Sequence, residues 1–396
     1  MKNKRFLPYS RQYITNKDIK KVVSVLKSDF ITQGPEIVNF EKRFAQYVKA
    51  RYAVACATGT AALHISCLAL GITNKSKVLT PAVTFVASAN CAEFIGAKVD
   101  FVDIDKKTHC ISVENLEKKL KKKKIDLVVT VHLAGQSSEM DKIYKLKKKY
   151  KFHLIEDSCH ALGGKYKKFK VGSCKFSDIS TFSFHPVKPI TTGEGGMITT
   201  NSKKIYDKLL LYRTHGIHKN PKKFKNNTFA FDKKNVPNRW YYEMSDLGYN
   251  YRITDIQASL GNSQLERIDE ITKKRNQVAN YYKQHLKNIA DIDLPIYSNK
   301  IYHAYHLFTI LIDFKKLKIS KNLFMKKLAD HGIGSQVLYI PIFLHPYYKK
   351  KYNYKVNDFP NAMSYYDKAV SIPIFYDLKK SELKFISDTI KSILRR

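Results

Sequence analysis

The stretch Ser183–Gly196 reads SFHPVKPITTGEGG and says more about the fold than any other part of the chain. It follows an apolar run of strand length and ends in a glycine turn, with Lys188 between Pro186 and Pro189. Pro189 biases Lys188 toward an extended backbone and Pro186 fixes its own φ, so the amine stands on a stiff support at the end of a strand. A positioned amine can form a Schiff base with a carbonyl compound. The alternative is that Lys188 is one of 71 basic residues and faces water.

Upstream of this stretch, apolar runs of strand length alternate with amphipathic segments of helix length. From about residue 50 to residue 200 this alternation is typical of an α/β fold, with a mainly parallel sheet between helices. The predicted strands are 51–56, 77–80, 98–103, 126–132, 152–156, 178–184 and 197–200, and a helix is predicted at 60–70. The interesting polar residues lie in the connections, as expected when a ligand binds beyond the carboxyl ends of the strands.

The remainder of the chain predicts a second, smaller unit. After a surface excursion rich in Lys, Asn, Tyr and Pro, the chain is predicted to become helical at 254–261. A long helix is then predicted from about 262 to 285. A strand at 305–313 and a helix at 320–331 then indicate an α+β arrangement. We therefore predict a large domain at 1–280, which includes the N-terminal segment, and a small C-terminal domain at 281–396.

The formal net charge of +37 raises the question of an anionic partner such as nucleic acid. Only 11 of the 71 basic residues are arginine, and the lysines are scattered along the whole chain. Because base and phosphate recognition favours the bidentate fork of arginine, we expect no nucleic-acid partner. A lysine-rich composition is the simpler explanation of the charge.

The cysteine pattern and the short apolar runs indicate a protein of the cytoplasm. The six cysteines form no C-x-x-C pair and no zinc-ligand spacing with histidine, so we expect neither a disulfide nor a metal site. No stretch approaches the roughly 18–20 apolar residues of a membrane span, and no charged segment followed by an apolar run opens the chain. We therefore expect a cytoplasmic protein without membrane contact.

Three other segments place groups where a ligand could bind. Thr58-Gly59-Thr60-Ala61-Ala62 follows the first strand and opens a helix, so its N–H groups could bind a phosphate, although the same residues are ordinary capping chemistry. Asp157 lies just past a buried strand, where its carboxylate needs a cationic partner or caps a helix. Phe85 could stack on an aromatic ring or belong to the core.

Taken in order, these motifs resemble the sugar aminotransferases of the DegT/DnrJ/EryC1/StrS family. They are GTAA at 59–62, TFVA at 84–87, EDxxHALG at 156–163 and SFxxxKxxTTGEGG at 183–196. The resemblance covers nearly the whole chain and continues through RTHG at 213–216, GYNYRITDIQA at 248–258 and YIP at 339–341. Within the family, residues 182–192 look most like the branch that serves pseudaminic acid biosynthesis.

The resemblance implies a fold type I enzyme dependent on pyridoxal 5′-phosphate, acting as a homodimer with shared active sites. Lys188 would hold the cofactor and move a proton, and Asp157 would pair with the pyridinium nitrogen. The implied cofactor contacts are Thr60, Ala61, Phe85, Asp157, His160, Ser183, Lys188 and, from the neighbouring subunit, Asn250. The substrate contacts, which align more loosely, are Tyr9, Ser28, Asp29, Phe30, Ile31, Thr58, Tyr305, His306, Leu307 and Phe308.

The implied reaction is a ping-pong transfer in which L-glutamate gives its amine and a UDP-linked 4-keto-6-deoxy sugar receives it at C4. The expected product is UDP-4-amino-4,6-dideoxy-N-acetyl-β-L-altrosamine. Two alternatives remain: the same reaction on another nucleotide sugar, of the perosamine or viosamine type, and a non-catalytic basic binding protein on this fold. Related dehydratases have histidine where the Schiff-base lysine belongs, so Lys188 argues against that activity.

Overall fold

A seven-stranded sheet forms the centre of the computed structural model, which describes residues 6–295 and 298–394. The strands, in chain order, are β1 Tyr52–Cys56, β2 Lys77–Pro81, β3 Lys98–Val102, β4 Leu127–Val131, β5 His153–Asp157, β6 Lys165–Tyr166, β7 Phe169–Lys170, β8 Ile179–Ser183, β9 Gly196–Thr200, β10 Ile217–His218, β11 Glu243–Met244, β12 Ile292–Asp293, β13 Ile301–Tyr302, β14 Phe308–Ile312 and β15 Ala369–Ile372. The central sheet has the order β1-β9-β8-β5-β4-β2-β3. Its neighbours from β8 to β3 are parallel, while β9 runs antiparallel to β8 and β1. The predicted fold class is confirmed.

The helices that surround the sheets are α1 Asn16–Leu26, α2 Pro35–Val48, α3 Gly59–Ala69, α4 Ala87–Glu93, α5 Val113–Lys122, α6 Met140–Tyr150, α7 Lys203–Arg213, α8 Asn227–Ala230, α9 Asp255–Leu265, α10 Ile268–Leu286, α11 Lys321–Asp330, α12 Pro346–Tyr352, α13 Pro360–Lys368 and α14 Lys380–Leu394. Short 3₁₀ turns lie at Leu133–Gly135, Pro221–Lys223, Ile342–Leu344 and Val356–Asp358. Within the described residues, no helix has both the length and the apolar character needed to cross a membrane.

The central strands explain where a ligand can bind. β4, with the sequence LVVTV, is buried at every position, as expected for a strand covered on both faces. The register between β4 and β5 pairs Leu127 with His153 and Val131 with Asp157, so both strands end at the same level. Asp157 therefore lies at the carboxyl edge of the sheet, where polar groups of successive connections can meet.

The strands of the central sheet agree with the predictions to within one residue at each end. The helical segments predicted at 254–261 and 262–285 form as α9 and α10, but the boundary between them lies at Glu266 and Arg267 rather than near residue 262. Both residues at the break form ion pairs with the N-terminal helices: Arg267 with the buried Asp18 at 2.6 Å, and Glu266 with Arg43 at 3.0 Å. These long-range contacts fix the turn at a point that helix periodicity does not mark.

A smaller antiparallel sheet of β12, β14 and β15 packs against α10, α11 and α14. Its central strand begins at Phe308 rather than at the predicted residue 305. The C-terminal aromatic residues Phe343, Tyr348 and Phe359 belong instead to the apolar cluster of the large sheet. Since α10 also contributes to both cores, the division of the chain at residue 280 stays a prediction.

Candidate active site

A cavity of about 460 Å³ opens beyond the carboxyl ends of β4, β5 and β8. It lies at the edge of the sheet where α/β folds bind their ligands. The predicted contacts that line it are Tyr9, Thr58, Thr60, Phe85, Asp157, His160, Ser183 and Lys188. Residues from five separate segments of the chain are thus brought into one space.

Lys188 reaches the cavity from the loop that follows β8. Its backbone N–H donates to His185 O at 2.9 Å, and Ser10 Oγ donates to Val187 O at 3.0 Å, so the loop is fixed on both sides. Burial lowers the pKa of the Lys188 amine, although Cys159 and Asp157 act in the opposite direction. No hydrogen-bond partner of Lys188 Nζ is found among the described residues. An amine that loses its proton more readily is a better nucleophile near neutral pH.

Asp157 ends β5 and is only 5% exposed. Its Oδ2 accepts a hydrogen bond from Ser88 Oγ at 2.6 Å, and its Oδ1 accepts one from Cys159 N at 3.2 Å. In the part of the chain that the structure describes, no basic side chain forms an ion pair with this carboxylate. A buried carboxylate without a cation is costly, and a protonated pyridine nitrogen in the cavity would supply one.

The N-terminus of α3 faces the cavity with free backbone donors. Thr58 Oγ1 caps the helix by accepting from Ala61 N at 3.0 Å, whereas the N–H groups of Gly59 and Thr60 have no acceptor within residues 6–295 and 298–394. The Ala61 N–H is already used inside the chain, and the contact of Ala61 with the cofactor stays a prediction. Ser183 lines the same cavity from the end of β8. A helix N-terminus beside a hydroxyl group fits a phosphate.

Gly196 allows β9 to pass beneath this turn. A Cβ atom at position 196 would lie 2.3 Å from Thr58 O and 3.0 Å from Gly59 N. These are backbone atoms that cannot move without displacing the free donors. The glycines that end the stretch 183–196 therefore shape the phosphate end of the cavity.

Two sets of predicted contacts lie on the surface of this chain, away from the cavity. Residues 28–31 form an exposed loop after α1, which is held by a hydrogen bond from Asp255 N to Ile31 O at 3.0 Å. Asn250 is also exposed and pairs through its backbone with Thr214. Their contacts with a cofactor or substrate stay predictions that involve the neighbouring subunit.

The predicted contacts at 305–308 are buried in the chain. Leu307 and Phe308 are buried, and β14 begins at Phe308, whose side chain packs in the small-sheet core. Their contacts with a substrate stay a prediction. Tyr305 is buried in the same cluster. His306 is buried as well, but its ring centroid lies 4.3 Å from that of His160, which places it directly behind the cavity wall.

Tyr339 and Ser88 belong to the site but were not predicted to do so. Tyr339 lines the cavity and is 3.0 Å from His160 Nε2 through its Oη, although the two residues are far apart in sequence. In the sequence, Tyr339 was marked only by its place in the YIP motif at 339–341. Ser88 lies in the first turn of α4, four residues after Thr84, and its Oγ is 2.9 Å from Thr84 Oγ1. Two hydroxyl residues so close in the chain could have drawn attention to this segment.

The cavity brings together the amine of Lys188, the buried carboxylate of Asp157 and the N-terminus of α3. Within the residues that the structure describes, the carboxylate has no ion pair and the first two N–H groups of the helix have no acceptor. This combination fits a carbonyl-bearing pyridine phosphate and defines the class of enzymes that depend on pyridoxal phosphate. The chain belongs to the DegT/DnrJ/EryC1/StrS aminotransferase family, whose sequence profile matches residues 12–391. Aminotransferases of this family depend on pyridoxal phosphate, so the predicted cofactor is confirmed.

Individual relatives match over nearly their full length. The chain is 38% identical over 395 residues to the UDP-4-amino-4,6-dideoxy-N-acetyl-β-L-altrosamine transaminase of Campylobacter jejuni, with 98% of each chain covered. It is 32% identical over 387 residues to the GDP-perosamine synthase of Escherichia coli O157:H7, again with 98% of each covered. Helicobacter pylori PseC, an aminotransferase involved in pseudaminic acid biosynthesis, superposes with a TM-score of 0.88 at 29% identity, covering 98% of this chain and 99% of PseC.

Proposed function

We propose that the protein transfers an amino group from L-glutamate to C4 of a UDP-linked 4-keto-6-deoxy-N-acetylamino sugar. The product would be UDP-4-amino-4,6-dideoxy-N-acetyl-β-L-altrosamine, an intermediate of pseudaminic acid biosynthesis. The observation that carries the proposal is that Lys188 and the buried Asp157 line one cavity at the carboxyl edge of the sheet. Similarity to the Campylobacter transaminase and to PseC supports the choice of sugar.

Lys188 would be the proton carrier of the reaction. Bound pyridoxal phosphate supplies an electron sink and carries the amino group from one substrate to the other. Lys188 Nζ holds the cofactor at rest, takes the proton from the α-carbon of the donor and later delivers a proton to C4 of the sugar. Burial lowers the pKa of this amine, which favours the neutral form that can accept a proton. Such positioned proton transfer contributes about 10²–10⁴-fold to the rate.

The other residues would bind and orient. Asp157 binds the pyridine nitrogen and favours its protonated form, because an anionic neighbour stabilises the cation. Ser88 Oγ holds that carboxylate in place at 2.6 Å. The free N–H groups of Gly59 and Thr60 bind the phosphate together with the Ser183 hydroxyl, an arrangement that helix N-termini provide readily.

A homodimer would complete the site. One face of α1 exposes Ile19, Val23 and Leu26, whose spacing of three and four residues places them on a single stripe, and the exposed Phe30 follows it. A row of exposed apolar side chains of this kind marks a contact surface. We propose that a second copy covers this stripe and that Asn250 of the partner subunit closes the phosphate site.

The cytoplasm is the proposed location. All six cysteines are free thiols, and five of them are buried. Free thiols at this number are typical of a reducing compartment. A cytoplasmic enzyme also shares its compartment with L-glutamate as amino donor.

The test is an assay with purified protein, L-glutamate and the UDP-linked 4-keto sugar, with the product identified by mass and NMR. The expected result is one 4-amino sugar formed for each 2-oxoglutarate released. Turnover of a GDP-linked 4-keto sugar in preference to the UDP-linked one would favour the perosamine-type alternative. A protein that binds DNA at physiological salt and transfers no amine would favour the non-catalytic alternative.

A further inference from the structure

Tyr339 forms part of the cavity wall, and its position is fixed by the fold. Tyr365 Oη donates to Leu338 O at 2.8 Å, immediately before Tyr339. On the other side, Ile342 N donates to Ala82 O at 2.8 Å, which anchors the segment to the end of β2. The backbone around Tyr339 is therefore held by α13 on one side and by the residue after β2 on the other. The Tyr339 side chain reaches the cavity from a part of the chain that is far from Lys188 in sequence.

The hydrogen bond between His160 and Tyr339 has a definite direction. Ala134 N–H donates to His160 Nδ1 at 3.3 Å, so Nδ1 acts as an acceptor and carries no proton. Burial, reinforced by the charge of Lys188, lowers the pKa of His160 well below its usual value, so the ring is neutral. The single ring proton is then on Nε2 and is donated to Tyr339 Oη at 3.0 Å.

The backbone turn that presents Ala134 N–H is itself tightly constrained. Ala134 and Gly135 have φ angles of +58° and +101°. A Cβ atom at Gly135 would lie 2.8 Å from Tyr305 N and 2.9 Å from His160 O, so a larger residue cannot be accommodated without moving backbone. The donor to His160 Nδ1 is thus built into the turn after β4, and the tautomer of His160 follows from it.

Because Tyr339 Oη accepts the hydrogen bond from His160 Nε2, the hydroxyl's own proton is left for a different acceptor. Among the described residues, His160 is the one hydrogen-bond partner found for this hydroxyl. Burial raises the pKa of Tyr339 well above its usual value, so the hydroxyl keeps its proton throughout the neutral range. Tyr339 is half-buried in the wall of the cavity, where a hydroxyl donor favours a nearby acceptor. The remaining space in front of it is the cavity.

We infer that Tyr339 donates a hydrogen bond to an acceptor oxygen of the molecule bound in the cavity. Two oxygens have the required chemistry: the ring hydroxyl oxygen of pyridoxal phosphate and an oxygen of the nucleotide-linked sugar. The ring centroids of Tyr339 and Phe85 lie 5.7 Å apart, so the two rings would contact the bound molecule from the same side. The second possibility rests on the proposed function, whereas the first needs only the cofactor.

The test compares wild type, Tyr339→Phe and a control, Tyr144→Phe, which lies on α6 outside the cavity. Three quantities are measured: the affinity of the apoprotein for pyridoxal phosphate, the pH titration of the visible absorption of the loaded protein, and the affinity of the loaded protein for the UDP-4-amino sugar by calorimetry. Loss of one hydrogen bond predicts about a ten-fold change in the affinity for the molecule that accepts it.

Weaker pyridoxal phosphate binding with a shifted absorption titration assigns the bond to the cofactor oxygen. Unchanged cofactor binding with about ten-fold weaker sugar binding assigns it to the sugar. Wild-type values in all three measurements would overturn the inference and leave Tyr339 as a support for His160. Failure of the wild-type protein to bind the sugar at all would count against the proposed function instead, so the two failures are distinguishable.

Discussion

Ser88 Oγ donates a 2.6 Å hydrogen bond to Asp157 Oδ2 and thereby ties helix α4 to the carboxyl end of β5. The bond fixes the orientation of a carboxylate that is buried and has no ion pair in the described part of the chain. Oδ2 accepts this hydrogen bond from α4, and Oδ1 accepts a hydrogen bond from the backbone N–H of Cys159. The carboxylate is thus held in a fixed orientation in which it can pair with a cation bound in the cavity.

Replacing Asp157 by Asn should slow transamination by roughly 100-fold or more while the protein stays folded. The amide is nearly isosteric but neutral, so it no longer favours the protonated pyridine nitrogen. Single-turnover kinetics of each half-reaction would measure the effect. Asp330→Asn, at an exposed helical pair, is the control. Rates within a few-fold of wild type would show that another group binds the pyridine nitrogen.

Lys188→Ala should abolish turnover, by more than about 10³-fold, because both the covalent link and the proton carrier are lost. Circular dichroism should be unchanged, and pyridoxal phosphate should still bind without a covalent bond. The matched control is Lys287→Ala, an exposed lysine just after α10. Retained turnover in the Lys188 variant would remove this residue from the mechanism.

The lowered pKa of Lys188 also predicts a pH-dependent stability of the apoprotein. Between this lowered pKa and the ordinary value of 10.5, the unfolded chain binds more protons than the folded chain, so the free energy of unfolding rises with pH. Below the lowered pKa the buried amine is charged, and the full free-energy cost of burying that charge reduces the stability of the folded chain. Lys188→Met removes the cost, and it should stabilise the apoprotein most at the lower pH values and least toward pH 10.5.

Thermal unfolding of the apoprotein across this pH range measures the difference. Lys287→Met reports the general effect of removing one positive charge from a chain with a net charge of +37. A Lys188→Met curve that stays parallel to the wild-type curve at every pH would contradict the lowered pKa.

The sequence located the central strands because they are long, continuous apolar runs, as the fully buried β4 illustrates. Lys188, Asp157 and the N-terminus of α3 were predicted as site groups because each lies at or just after the end of such a strand. The position of the break between α9 and α10 was not predicted, since it depends on the ion pair of Arg267 with Asp18, which local periodicity cannot reveal.

Long-range packing also explains which features of the site the sequence did not reveal. Tyr339 enters the cavity only because its segment is bonded to Ala82 and Tyr365, two contacts that no local pattern encodes. Leu307 and Phe308 were assigned to the substrate because they align, loosely, with sugar-nucleotide contacts of the family. Their burial was decided by where β14 begins, which a run of mixed aromatic and apolar residues does not define.

Gly196→Ala should weaken pyridoxal phosphate binding at least ten-fold, since the new Cβ would displace Thr58 O and the free donors beside it. Overpacking of this kind also costs about 1–3 kcal/mol of stability. Gly71→Ala is a demanding control, because its φ of +79° strains an alanine while no atom lies within 4 Å. Equal cofactor affinities in the two variants, measured by titration of the apoproteins, would argue against a phosphate at this turn.

Val23→Asp should disrupt the proposed homodimer, because it places a charge in the centre of the exposed apolar stripe of α1. Sedimentation velocity should show a monomer, with lost activity and a weakened hold on the phosphate. Leu323→Asp, a comparably exposed apolar residue on α11, should leave the assembly and the activity intact. A Val23 variant that sediments like wild type would rule out this surface as the interface.

The most direct measurement is the visible absorption of the loaded protein during sequential addition of its two proposed substrates. L-glutamate should abolish the visible band of the cofactor bound to Lys188, and the UDP-linked 4-keto sugar should then restore it with formation of the 4-amino sugar. The Lys188→Ala variant should show neither change. A wild-type protein that binds pyridoxal phosphate but keeps its spectrum after both additions would contradict the assignment as a sugar aminotransferase.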